Sequence, residues 1–179
     1  MTPVELLKSL GGPAALAGAP FGADLMVFCD ALQQRGGIGI YVARDDKTAA
    51  TSRRLAEFAA PRLEQVDLPG WDTLPYDRVS PTAGVSARRC AALARLARYE
   101  RQNGPLLVVT TASAIIQRVP PRETMRRSSF SLVAGQTVSQ KELNDYLLVN
   151  GYLRASTVRE QGEYAIRGGI IDIYPPTAG

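Results

Sequence analysis

Apolar positions recur along this chain in two periods, and the changes of period mark where helix gives way to strand. Residues 3–10 and 22–35 read as helices, and Gly36-Gly37 ends the second, because glycine enters the left-handed region without steric cost. Residues 38–42, Ile-Gly-Ile-Tyr-Val, then form a short apolar run of strand type. Asp45-Asp46 supplies the carboxylates that cap a helix running to about Ala59. Beyond Pro61, residues 63–68 read as a second strand. A helix over about 85–101 turns Leu93 and Leu96 inward and carries Arg88, Arg95 and Arg98 among its polar positions, until Asn103-Gly104-Pro105 stops it. Residues 106–109, Leu-Leu-Val-Val, are apolar without alternation, as in a strand covered on both faces. Strand alternating with helix in this way predicts a parallel α/β sheet over residues 1–119.

Pro120-Pro121 breaks that pattern, and a second unit of α+β type is expected over 120–179. Within it, Ser139 and Glu142 have capping-box spacing, and Val138 and Leu143 are placed for the hydrophobic staple. The helix that follows uses Leu143, Tyr146 and Leu147 as its apolar face and stops at Asn150-Gly151. Strand-like stretches near 156–158 and 169–174 complete an expected order of strand, helix, strand, strand over 129–174.

Composition narrows the chemistry. At 179 residues and 45% hydrophobic content the chain can bury a core, and its net charge of +4 is too mild to read as a footprint for DNA. Histidine is absent, which removes every Ser-His or Cys-His pair and the commonest metal ligand. Cys29 and Cys90 lack CxxC spacing and read as buried free thiols, so no metal site is expected. Neither a long apolar span nor a secretory signal is apparent, which points to the cytoplasm.

One loop resembles a nucleotide site. Residues 17–24, AGAPFGAD, open a helix as a phosphate-binding loop does, but the lysine position is Ala23 and the hydroxyl position is Asp24. With Ala17, Gly18 and Gly22 as its remaining landmarks, the loop offers phosphate a carboxylate instead of a cation. Asp72 and Asp77, set among Pro69, Pro75 and Pro81, read as turn formers ahead of an acid-base pair. Trp71 and Tyr76 are expected to pack this loop onto the sheet. Arg88, Arg89, Arg95 and Arg98 are the arginines that a nucleic-acid-binding module would use. In the second unit, Arg154 and Arg167 are expected on neighbouring strands as a compact patch for an acidic partner, near Arg159, Glu160 and Glu163.

Three segments carry a resemblance: LPGWDTLPYDRVSP over 68–81, QRVP over 117–120, and GEYAIRGGIIDIYP over 162–175. In this order and spacing they resemble the N-terminal region of the bacterial transcription-repair coupling factors, the Mfd proteins, and the last is similar also to a strand pair of the repair protein UvrB. The resemblance implies a degenerate domain like UvrB domain 1a, a P-loop-NTPase-like sheet without an ATP site, followed by a UvrA-binding domain like UvrB domain 2. It implies UvrA contacts at Arg154 and Arg167, with Arg159 and Glu163 beside them, a chain that is a fragment incomplete at its C-terminus, and no catalysis or cofactor here. RNA polymerase and double-stranded DNA would be engaged through regions this chain lacks. The alternative, a UvrB-like ATP-dependent repair helicase fragment, would carry an intact P-loop and an aromatic-rich hairpin after Tyr76, where residues 78–84 instead lead directly into a helix.

Overall fold

A computed structural model describes residues 5, 12–13, 15–74, 76 and 78–175. The helix expected over 3–10 lies outside the described residues except for Glu5, and Pro75 and Asp77 lie outside them too. The first unit runs α1 (Ala23–Arg35), β1 (Ile38–Ala43), α2 (Asp46–Ala59), β2 (Glu64–Leu68), α3 (Ala83–Ala97), a single 3-10 turn (Arg101–Asn103), β3 (Leu106–Thr111) and α4 (Ala112–Ile115). Its three strands are parallel in the order β1-β3-β2, with Ile38 and Glu64 both in register with Leu106.

Every residue of β3 is buried, because the central strand is covered on both sides. Alternation along it divides the core. Leu107 and Val109 pack with Leu25, Cys29, Leu32, Ala49 and Ala56 of α1 and α2 on one face, while Leu106 and Val108 pack with Val66, Ala92, Leu96 and Tyr99 around α3 on the other. Helix α3 packs on β2 and the β3 side chains Leu106 and Val108, while Ile38, Ile40 and Val42 of β1 stay exposed.

Local chemistry sets most element ends. The Asp45 carboxylate accepts from the Thr48 amide at 2.7 Å, satisfying one orphan N–H of α2. Helix α3 ends at Ala97, short of the expected Arg101, because Tyr99 turns inward and its hydroxyl donates to the Gly104 carbonyl at 2.7 Å, fixing the reversal into β3. Cys29 is buried, and burial pushes its thiol pKa up. Cys90 is exposed, contrary to expectation, because it falls on the outer side of α3.

Beyond the proline pair, α5 (Arg122–Arg127) still docks on the first unit, where the Arg122 guanidinium donates to the carbonyls of Ala97 and Tyr99 at 2.8 and 2.7 Å. The second unit comprises α6 (Gln140–Val149), β4 (Leu153–Arg154), β5 (Glu163–Arg167) and β6 (Ile170–Ile173). Ser139 caps α6 by accepting from the Glu142 amide, and Val138 packs on the Leu143 cluster, so the expected cap and staple are both present. No strand of the second sheet precedes α6 among the described residues, and residues 156–157 form a bend. The strand expected near 169–174 is present as β6, whereas the one expected near 156–158 is replaced by β4 before it and β5 after it, which pair parallel through the short loop 155–162. β5 and β6 are antiparallel across Gly168-Gly169, with Gly168 in the left-handed region. One sheet face is dry: Tyr164, Ile166, Ile171 and Ile173 pack against Leu143 and Leu147 of α6.

Candidate functional site

At the phosphate-loop position, Gly22 caps α1 at φ 84°, and a Cβ there would come within 2.2 Å of the Leu55 side chain, so only glycine fits. Gly18 is also left-handed, and Asp24 stands in the first turn of the helix. Its carboxylate accepts from the Tyr41 hydroxyl at 2.8 Å. Burial first, and that bond second, raise the tyrosine pKa. A carboxylate therefore stands in the first turn of the helix, at the end where a phosphate-binding loop would hold phosphate. Ala17 and Ala23 contribute no polar side chain.

The loop after β2 is braced from below. Arg89 is 1% exposed, donates to the Pro69 carbonyl at 2.5 Å and stacks its guanidinium 4.5 Å from the Trp71 ring centre. Asp72 accepts from both the hydroxyl and the amide of Thr82, at 2.6 and 3.2 Å. These bonds, the hydroxyl first, hold its carboxyl below the usual range, the opposite of what a general acid at neutral pH requires. Asp72 is thus a brace at the entry to α3. Trp71 stacks on Arg89 yet remains 39% exposed, so it packs the loop only in part, and Tyr76 is fully exposed and left-handed at φ 75°. Trp71, Leu74, Ile116 and Arg118 help line an open cleft of about 610 Å³.

The arginines considered for nucleic acid are mostly committed elsewhere. Arg88 pairs with Asp67 at 3.3 Å, Arg95 forks onto Glu64 with two 2.5 Å bonds, and Arg89 is interior. Neither Arg89 nor Arg98 has a described ion pair.

Arg154 and Arg167 lie on neighbouring strands, as expected, but not on one face. The register sets Arg154 opposite Tyr164, the residue that points into the α6 core, whereas Arg167 alternates onto the far side with Glu163 and Ala165. The compact pair becomes one arginine at the edge of the sheet and one on its outer face. Arg167 pairs there with Asp172 at 2.5 Å and stays largely exposed. Arg159 is exposed on the crossover loop. The Glu163 carboxylate turns back on that loop, accepting from the amides of Arg159 and Glu160 at 2.8 and 3.0 Å. Those two bonds hold its pKa below the ordinary carboxylate value.

A folded-state pKa below the unfolded one means that the Glu163 bonds contribute stability fully above the unfolded value, near ~4.3, and lose it as pH falls through the folded value. Thermal melts from pH 6 to pH 3 should therefore show a shallower decline for Glu163→Gln than for the unmodified chain. Equal slopes would remove Glu163 as the clasp of this loop.

Sequence reasoning missed the apolar members of the outer face. Leu153, beside Glu163, and Ile170, in register with Arg167, are 70% and 65% exposed. Strict alternation from Tyr164 and Ile166 would have located them, had the strands been placed correctly. Among the described residues there is no cluster of metal-ligating side chains and no helix long and apolar enough to cross a membrane.

Comparison with known proteins matches residues 130–179, which include this second sheet, to the family described as the UvrB interaction domain. The chain is 34% identical to the transcription-repair-coupling factor of Mycobacterium tuberculosis over 97% of its own length and 14% of that protein. It is 28% identical to the factor of Haemophilus influenzae, covering 86% of the chain and 13% of the relative. The factor of Escherichia coli K12 is 34% identical over 62% of the chain and 9% of its own length. The chain thus spans at most 14% of these relatives. Matched along almost all of its length by proteins of one kind, and over its second sheet by their interaction domain, the chain belongs to the transcription-repair-coupling factor family.

Proposed function

We propose that this chain is a non-catalytic recruiting module of a transcription-repair coupling factor, which brings UvrA to RNA polymerase stalled at DNA damage. On this reading the first unit is a scaffold of UvrB domain 1a type that has lost its nucleotide site, and the second is a UvrA-binding unit of UvrB domain 2 type. The observation that carries it is the coincidence of the interaction-domain match with a small sheet whose outer face holds an exposed arginine. Arginine is favoured at protein interfaces because its planar fork engages carboxylates in two parallel bonds. The Asp24 carboxylate at the old phosphate position supports the non-catalytic half of the reading. Contacts with RNA polymerase and double-stranded DNA belong, on this reading, to other regions of the longer polypeptide.

Calorimetric titration of purified UvrA into the chain tests this. Arg167→Ala should weaken binding about tenfold or more, equivalent to ~1.4 kcal/mol or above, and Arg154→Ala should weaken it less because that side chain leaves from the opposite face. Full binding by both variants would refute the site, and no binding by the unmodified chain would refute the function.

A further inference from the structure

The outer face of the second sheet is half apolar. Leu153 and Ile170 are both largely exposed on the strands flanking β5, while the opposite face is closed by α6. From the register, four positions along β5 and two strand spacings separate them, so they stand roughly 16 Å apart with Arg167 and Glu163 between. The Arg167–Asp172 pair holds the guanidinium in place and leaves it open to solvent. Charge and shape together describe a two-ended apolar strip with a cation inside it, the arrangement of a hot spot in which anchors exclude water around a charged contact.

We propose that Leu153 and Ile170 are the apolar anchors of the partner surface, seating in two hydrophobic depressions of UvrA on either side of a carboxylate that engages Arg167 alongside Asp172. This rests on the reading of the chain as a UvrA-recruiting module and adds to it which residues supply the apolar contact. Because both side chains are solvent-exposed, replacing them leaves the α6 core intact.

The test is UvrA titration against the unmodified 179-residue chain, Leu153→Ser/Ile170→Ser, Arg167→Ala and, as a control, Val149→Ser on the exposed side of α6. Far-UV circular dichroism of each variant establishes that it is folded. The double variant should bind at least tenfold more weakly, with a smaller negative heat-capacity change because less apolar surface is buried, and Val149→Ser should bind within twofold of the unmodified chain. If the double variant stays within twofold while Arg167→Ala loses tenfold, the anchors are wrong and the recruiting function stands. Equal losses in Val149→Ser and the double variant would also overturn the assignment. If the unmodified chain does not bind UvrA, function and anchors fall together.

Discussion

Tyr164→Ala is expected to unfold the second unit, at a cost of about 3–5 kcal/mol. Tyr164 is 0% exposed, sits on the central strand of its sheet, and packs against Leu143 and Leu147 while its hydroxyl donates to the Asn144 side-chain oxygen at 3.1 Å. Removing the ring opens a cavity in the apolar cluster that joins α6 to the sheet. So small a core has few neighbouring side chains with which to fill it. Tyr164→Phe keeps the ring and should cost about 1 kcal/mol, the net value of one hydrogen bond. Urea unfolding followed by far-UV circular dichroism reads the loss in the second unit, while fluorescence of the single tryptophan, Trp71, reads the first. The Trp71 transition should stay in place in Tyr164→Ala. Were it to move by the same amount, the two cores would unfold as one cooperative body, and partner binding could not be disabled without disturbing the scaffold.

Arg89→Ala is the second large effect, at about 2–4 kcal/mol from the lost charged hydrogen bond and the void under Trp71. Burial lowers the Arg89 pKa, and its Nε is buried without a described partner, so this guanidinium is held at a cost of its own. Arg89→Met, which keeps most of the volume and removes the charge, should recover more than half of the loss. Without the cation against its face and the Pro69 carbonyl tied below, Trp71 should become more solvated and its emission should shift to longer wavelength. Unchanged emission together with an unchanged urea midpoint in Arg89→Ala would show that the loop is held by Asp72 and Thr82 alone.

Features that depend on near neighbours were legible. The caps at Asp45 and Ser139 bond to amides three residues on, so their chemistry is written in the local sequence. The unbroken apolar run at β3 announced a strand buried on both faces because no polar position was available to face water. That residues 17–24 lack the lysine and hydroxyl of a phosphate-binding loop could likewise be read from residue types alone, although the bond that Asp24 makes could not, since Tyr41 comes from the next strand.

Strand placement in the second unit was misread where pairing partners are distant. Residues 153–154 are too few to show a period, and they are a strand only because β5 offers them a parallel edge across the loop 155–162. From that pairing follow the face of each arginine and the exposure of Leu153 and Ile170. Arg89 reads as a surface residue on a helix rich in arginine, and it is interior because the loop after β2 folds Trp71 over it. Tyr76 reads as a packing aromatic and is exposed because its backbone turns into the left-handed region. The sequence by itself determined α1, α2, α3 and α6, the caps at Asp45 and Ser139 and the central strand, since each depends on residue type or on neighbours a few positions away. Tertiary structure alone decided which side of the second sheet Arg167 and its apolar companions occupy, because the face a strand residue presents is set by its register with a strand elsewhere in the chain.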